Sequence, residues 1–336
     1  SGHHGKLSLA DSYLIVGEDN KAYSLFDELF ELYESDLKIS KHLISKLIYN
    51  NKIEYAERKI SKIRQKYNTP DFYSIDLGTV YFSKMIYQKS LNEYMLYLSY
   101  NTDRADLVRE KLMAFPDDDN IKQMIQEKLK SDYSKISNVI LAEYYFTWEN
   151  YEKAFSLMIN NYLDEENLYD FSIDMILVGK FEYAEKILEH LLKSNNKNMV
   201  ELSIYQLATI LESQADLKIS QLPISDKFIQ NSFLKINHMN NHLNLKSNSI
   251  TNAIVMYDSL ITNFNNVEAK FKLTKLTSLI NRDYEQSITD FEYLEKRAKS
   301  KDIQFLSSIE IIDLNILNNN IDKILIDKIQ TYKRKY

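Results

Sequence analysis

The sequence predicts an all-α chain, an α-solenoid of antiparallel helical hairpins, on three observations. First, a small residue recurs every 34 residues: Ala22, Ala56 and Ser90, and again Ala253 and Ser287. A period of that length is the signature of stacked helical hairpins. Second, the residues around each small position repeat in phase, with apolar side chains at offsets that share one helical face. Third, the 336 residues hold only 5 Gly and 3 Pro, too few breakers for a sheet-rich fold. Length alone suggests about two domains, but a repeat array of this length can also be one continuous solenoid.

The elements follow from the phase. Around Ala22 the pattern is Leu9-Ala10 and Tyr13 on a first helix, then Phe26 and Leu29 on a second. Around Ala56 it is Leu43 and Leu47, then Ile53, Ile60 and Ile63. Around Ser90 it is Leu77-Gly78 and Tyr81, then Tyr87, Tyr94 and Tyr97. Turns are expected near Gly17, Asn51 and Gly179. Residues 103–130 keep helical periodicity, with Leu107, Leu112, Met124 and Leu129, but lose the phase around Phe115-Pro116-Asp117. The pattern returns around Ala154 (Leu141-Ala142, Tyr145, Tyr151, Met158) and Ala184 (Phe171-Ser172, Met175, Phe181, Leu188, Leu191), followed by a helix from Met199 to Ser213. Two small residues twelve apart let paired helices approach closely. Each hairpin keeps an apolar face that only a neighbour can bury.

Residues 7–213 are thus expected to form an N-terminal array, 214–224 an interruption ending near Pro223, and 225–336 a second array. A longer loop within one continuous solenoid is the alternative. The second array should open with a helix from about Asp226 to Leu245. It continues through Ala253, Ser287, Phe271, Tyr284, Phe291 and Leu294, and closes with a helical pair carrying Ile309, Ile312, Ile321 and Leu325. Residues 1–6, Ser-Gly-His3-His4-Gly-Lys, read as an expression scar and are set aside. The array begins at Leu7, so a native leader, a signal or lipoprotein segment, is expected to have been cut away.

Composition narrows the chemistry. There is no cysteine, so disulfides, thiolate metal sites and cysteine nucleophiles are excluded. The net charge of −6 argues against nucleic acid, which needs a basic stripe. Lys333-Arg334-Lys335 is a short basic run that reads as a solvated tail. No apolar run reaches the roughly 18 residues of a membrane span. The glycines cannot build a phosphate loop. Asp117-Asp118-Asp119 reads as a helix cap and first-turn acids, since a calcium loop needs a turn glycine and a distant glutamate. His238 and His242, four apart, are the one metal-like pair, in an asparagine-rich stretch that favours a solvated face. His42 and His190 stand alone and read as structural or surface residues. Carboxylate pairs such as Glu28/Glu31 and Asp164/Glu165 read as solvated helix faces. No cofactor and no catalytic residue is expected.

The segments Ile75-Asp76-Leu77-Gly78-Thr79-Val80-Tyr81, Tyr151-Glu152-Lys153-Ala154 and Phe181-Glu182-Tyr183-Ala184-Glu185-Lys186 resemble the tetratricopeptide repeat (TPR) family. The resemblance covers about two thirds of the chain by repeat phase. The family's tryptophan position is not filled, and Trp148 lies near a turn instead. The inter-repeat proline survives at Pro70 and Pro116, and Ala154 to Ala184 is four residues short of the period. The resemblance implies a right-handed superhelix whose inner face comes mainly from the first helix of each hairpin. That places Lys38, Lys41 and Ser45, then Phe72, Ile75, Thr79 and Phe82, then Glu143 and Phe146, then Tyr169, Ile173 and Ile176 on a groove. The alternative is that these aromatics pack on neighbouring helices.

The expected function is a non-enzymatic scaffold or adaptor that binds a protein or peptide with apolar anchors. The finer expectation is a bacterial envelope protein assisting outer-membrane or cell-wall assembly, from the start of the array and the resemblance of Ala253–Leu294 to envelope TPR proteins. A periplasmic or envelope location is accordingly favoured over the cytoplasm. Rival classes are a peptide-sensing regulator and a metal-binding or enzymatic helical protein. In the family's carboxylate clamp, Lys41 matches a lysine position, but Ser45 and Asp76 stand where asparagines are expected. An aspartate there repels a carboxylate, so a clamp on an acidic C-terminus is not expected.

Overall fold

The computed structural model describes residues 2–33, 35–132, 134–220 and 248–318. Among them are seventeen α-helices, a short 3-10 turn at Thr102–Arg104 and no strand. The chain divides into two compact units, Ser1–Thr147 and Trp148–Tyr336. The first holds α1 (Gly2–Ile15), α2 (Asp19–Leu32), α3 (Leu37–Tyr49), α4 (Ile53–Tyr67), α5 (Ser74–Ser83), α6 (Tyr87–Tyr100), α7 (Ala105–Met113), α8 (Asp119–Asp132) and α9 (Lys135–Thr147). The second holds α10 (Tyr151–Asn161), α11 (Glu165–Leu177), α12 (Phe181–Leu191), α13 (Lys197–Ser220), α14 (Asn248–Phe264), α15 (Val267–Asn281), α16 (Tyr284–Arg297) and α17 (Lys301–Leu317). Of the expected interruption at 214–224, residues 214–220 continue α13 as helix, beyond the expected end at Ser213. Residues 221–224, the expected helix from Asp226 to Leu245, and Ile321 and Leu325 lie outside the described residues.

In the first unit the small-residue rule acts as the phase requires. Ala22, Ala56 and Ser90 are fully buried on α2, α4 and α6. Their partners twelve residues earlier are Ala10, Ile44 and Gly78, also buried. The Ser90 hydroxyl donates to the Gly78 carbonyl across α5 and α6 at 2.8 Å. A Cβ on Gly78 would stand 2.6 Å from the Tyr94 ring, so glycine is what permits this approach. Where Ile44 takes the small position, α3 and α4 pack less extensively than α1 and α2 or α5 and α6. Phe26, Leu29, Leu43, Leu47 and Ile60 fill the core between them, each worth about 1.5–3 kcal/mol relative to exposure.

The turn inside each hairpin also repeats. At six of the small positions the residue five before has positive φ: Gly17, Asn51, Met85, Glu149, Gly179 and Arg282. In four of these turns the next amide reaches back to a carbonyl five residues earlier: Glu18 to Tyr13, Lys52 to Leu47, Ile86 to Tyr81 and Lys180 to Met175. This is the Schellman closure, which satisfies the orphan carbonyls at a helix end.

In the second unit α11 pairs with α12, and α12 packs on α13. Ser172 and Ala184 are buried at the two small positions. α13 packs along α14, where the Tyr257 hydroxyl donates to Glu212 at 3.0 Å. α15, α16 and α17 close over Phe271 and Phe291, whose rings meet edge-on at 5.5 Å. Asn266 caps α15 by accepting from the Ala269 amide at 2.7 Å, and its own amide donates to Glu201 of α13.

Candidate peptide-binding site

The connection between α4 and α5 departs from the regular turns. α4 ends at Asn68 in the left-handed region, and Pro70 cannot extend the helix. Tyr73, the residue before α5, is left-handed again, with φ of 66°. That conformation strains a residue carrying a large side chain, and such strain clusters at ligand sites. Phe72 and Tyr73 are nevertheless buried.

Arg64 holds this connection in place. Its guanidinium donates to the Phe72 carbonyl at 3.0 Å and to the Ser74 hydroxyl at 2.9 Å. Two further donors reach the Glu93 carboxylate of α6 at 3.1 and 2.6 Å, a bidentate pair with little solvent access. At the other end of the segment Asn101, just past α6, donates to Asp71 at 2.9 Å. The Tyr73 hydroxyl meets the Ser45 hydroxyl of α3 at 2.8 Å, and burial pushes its phenol up from the ordinary value. Repeated helices therefore brace a non-repeating loop.

Against this loop lies a cavity of about 470 Å³. α3 lines it with Leu37, Lys38 and Lys41. The loop and α5 supply Thr69, Phe72, Ile75 and Asp76, and Tyr97 stands at the end of α6. The Lys41 ammonium sits 5.8 Å from the centre of the Phe72 ring, a cation–π contact. The Thr69 hydroxyl is buried and finds no hydrogen-bond partner within the described residues. A buried unpaired hydroxyl costs about 1–3 kcal/mol.

Four groove residues expected from the sequence, Lys38, Lys41, Phe72 and Ile75, come together here. Phe82 goes elsewhere: its ring packs 5.2 Å from Phe115 and 5.9 Å from Tyr87, within the helix stack. Thr79 donates to the Ile75 carbonyl, and Glu143 pairs with Arg109 at 3.1 Å. Phe146 lies on α9 of the first unit. Tyr169 and Ile173 lie on α11 of the second unit, where the Tyr169 hydroxyl accepts from Gln206 at 3.2 Å. Thr69, Tyr97, Asn101 and the Arg64 brace were not read from the sequence. The usable signal was Asn68-Thr69-Pro70, a turn sequence opening a longer connection than its neighbours.

The other motifs resolve locally. Asp118 caps α8 by accepting from the Asn120 and Ile121 amides at 2.9 and 3.1 Å, and Asp117 pairs with Lys122. Asp164 caps α11, Glu165 accepts from Ser194, and Glu28 pairs with Lys6. His190 meets the Tyr162 hydroxyl at 3.3 Å. His238 and His242 lie outside the described residues. Among the described residues no group of three or more His, Asp or Glu is placed to hold a metal. None of their helices is long and apolar enough to cross a membrane.

Helical hairpins with paired small residues, one repeated turn closure and a constant phase decide the class. The architecture is TPR-like. No family model matches the sequence, and no curated protein sequence does. Two solved structures are similar to this chain. The TPR domain of P58(IPK) is 14% identical with a TM-score of 0.24, over 96% of this chain and all of that one. Yeast Tom70 is 15% identical with a TM-score of 0.26, over 95% of this chain and 62% of that one. The TPR-like assignment rests on the hairpins of the chain itself.

Proposed function

We propose that this chain is a non-catalytic scaffold that binds a protein or peptide, and that the cavity beside the α4–α5 connection takes an apolar side chain of the partner. The observation that carries this reading is the braced, strained loop beside a cavity lined by Phe72, Ile75 and Tyr97. A regular array has no structural need for that arrangement. Preorganisation by Arg64 lowers the ordering cost of binding.

The test is selection of a random peptide display library on the purified chain, followed by affinity measurement on the enriched peptides. Ile75→Ser and Tyr97→Ala should weaken those peptides about fivefold or more, the cost of part of an apolar anchor site, with helicity unchanged by circular dichroism. Affinities unchanged by both substitutions would place the partner on another surface. The finer reading, assistance in bacterial envelope assembly, is supported by the resemblance of Ala253–Leu294 to envelope TPR proteins. Fractionation of native cells expressing the full gene tests it, with recovery in the cytosol counting against it.

A further inference from the structure

Charges around the cavity are sorted by element. Lys38 and Lys41, three apart on α3, share one helical face, and both line the cavity. Among the described residues neither forms an ion pair. The contrast with their neighbours is sharp. Lys46, Lys52, Lys59 and Lys89 of the same unit each reach a carboxylate on another helix: Asp11, Asp19, Asp27 and Glu57. The connection and α5 add Asp71 and Asp76 to the lining. Asn101 fixes Asp71, while Asp76 is exposed and has no cation in ion-pair range among the described residues. Phe72, Ile75 and Tyr97 supply the cavity's apolar lining.

We propose that the cavity selects an internal peptide segment with an acidic residue on one side of an apolar anchor and a basic residue on the other. This rests on the reading that the cavity holds a peptide. The acidic side chain meets Lys38 and Lys41, the anchor covers Phe72 and Ile75, and the basic side chain turns to Asp76 and Asp71. The arrangement fixes the direction of the bound segment, because reversing it sets like charges together. It also disfavours chain ends rich in carboxylates, which Asp71 and Asp76 repel.

The experiment uses acetylated, amidated nonapeptides with a central leucine. The flanking pair is Glu and Lys in both chain orders, or Gln on both sides, Glu on both sides, or Lys on both sides. In one order the mixed peptide should bind about three- to tenfold tighter than the Gln peptide, the scale of one or two partly exposed ion pairs. Lys38→Gln with Lys41→Gln should erase that gain, so that the mixed and Gln peptides bind alike. Asp76→Asn should relieve the penalty on the all-Glu peptide. Equal binding by all the peptides would overturn this inference and leave the peptide-binding reading standing. Tightest binding by the all-Glu peptide would overturn it in favour of an acidic-tail site. Binding by none of them would remove the peptide-binding reading, and this inference with it.

Discussion

Two kinds of connection in the first unit invite comparison. The turns inside the hairpins, at Gly17, Asn51 and Met85, share one backbone conformation and one hydrogen-bond closure, whatever their side chains. The connection from α4 to α5 repeats nothing. It has two left-handed residues, two buried aromatics and an arginine brace, and it faces a cavity. The first kind is architecture, dictated by the need to reverse a helix and satisfy its last carbonyls. The second spends stability on a shape that the array does not require. In a repeat fold, departure from the repeat is the more informative signal of function.

Breaking the brace should have the largest effect. Arg64→Ala leaves Glu93 without its partner and frees the Phe72 carbonyl and Ser74 hydroxyl. We expect a loss of about 2–4 kcal/mol in urea unfolding of the first unit. Arg64→Lys should not restore it, since an ammonium cannot make the bidentate contact. Gly78→Ala tests the architecture instead. The added methyl meets the buried Tyr94 ring, and overpacking should outweigh the gain in helix propensity, for a net loss of about 1–2 kcal/mol by the same measurement. Peptide affinity should survive that change.

A smaller effect separates the regular turns from the site. Met85 is exposed and left-handed, so Met85→Gly should stabilise by about 0.5–1 kcal/mol. Gly17→Ala should destabilise by about 1 kcal/mol. Neither should alter peptide binding.

The smallest effect is acid dependence, which differs between the units. On α2, burial pushes the Asp27 carboxyl up, but hydrogen bonds from Lys59 and Tyr55 outweigh it and hold it below its ordinary value. Its contribution is present above the unfolded carboxylate value near pH ~3.9 and is lost as pH falls through the lower folded value. On α11, burial and then Asp170 raise Asp174. There the folded form holds its proton more tightly, so local stability rises as pH falls from the raised value toward the unfolded one. Hydrogen exchange should therefore show protection of α11 increasing as pH drops toward about 4. Protection of α2 and α4 should fall only below that point.

The hairpins were legible because close packing imposes a period: glycine at 78 and a small residue at 90 let α5 and α6 touch. The turns were half legible. Gly17, Asn51 and Gly179 announce a left-handed residue, but Met85, Glu149 and Arg282 do not, since there the closure and the phase override side-chain preference. Helix phase grouped Lys38, Lys41, Phe72 and Ile75, which line one cavity. Phe82 shared that phase and yet packs on Phe115, because residues 101–118 leave the repeat and bring an aromatic ring against it. Arg64 was invisible as a brace, since its partners Phe72, Ser74 and Glu93 are set by the irregular loop and the next helix.

The most direct test of the central claim is amide chemical-shift mapping of the chain titrated with the mixed-charge leucine peptide. The account predicts saturable shifts concentrated at residues 37–41, 69–76, 97 and 101, which in the double lysine variant saturate only at severalfold higher peptide concentration. Shifts concentrated instead at the hairpin turns, around residues 15–17, 49–51 and 84–86, would contradict it.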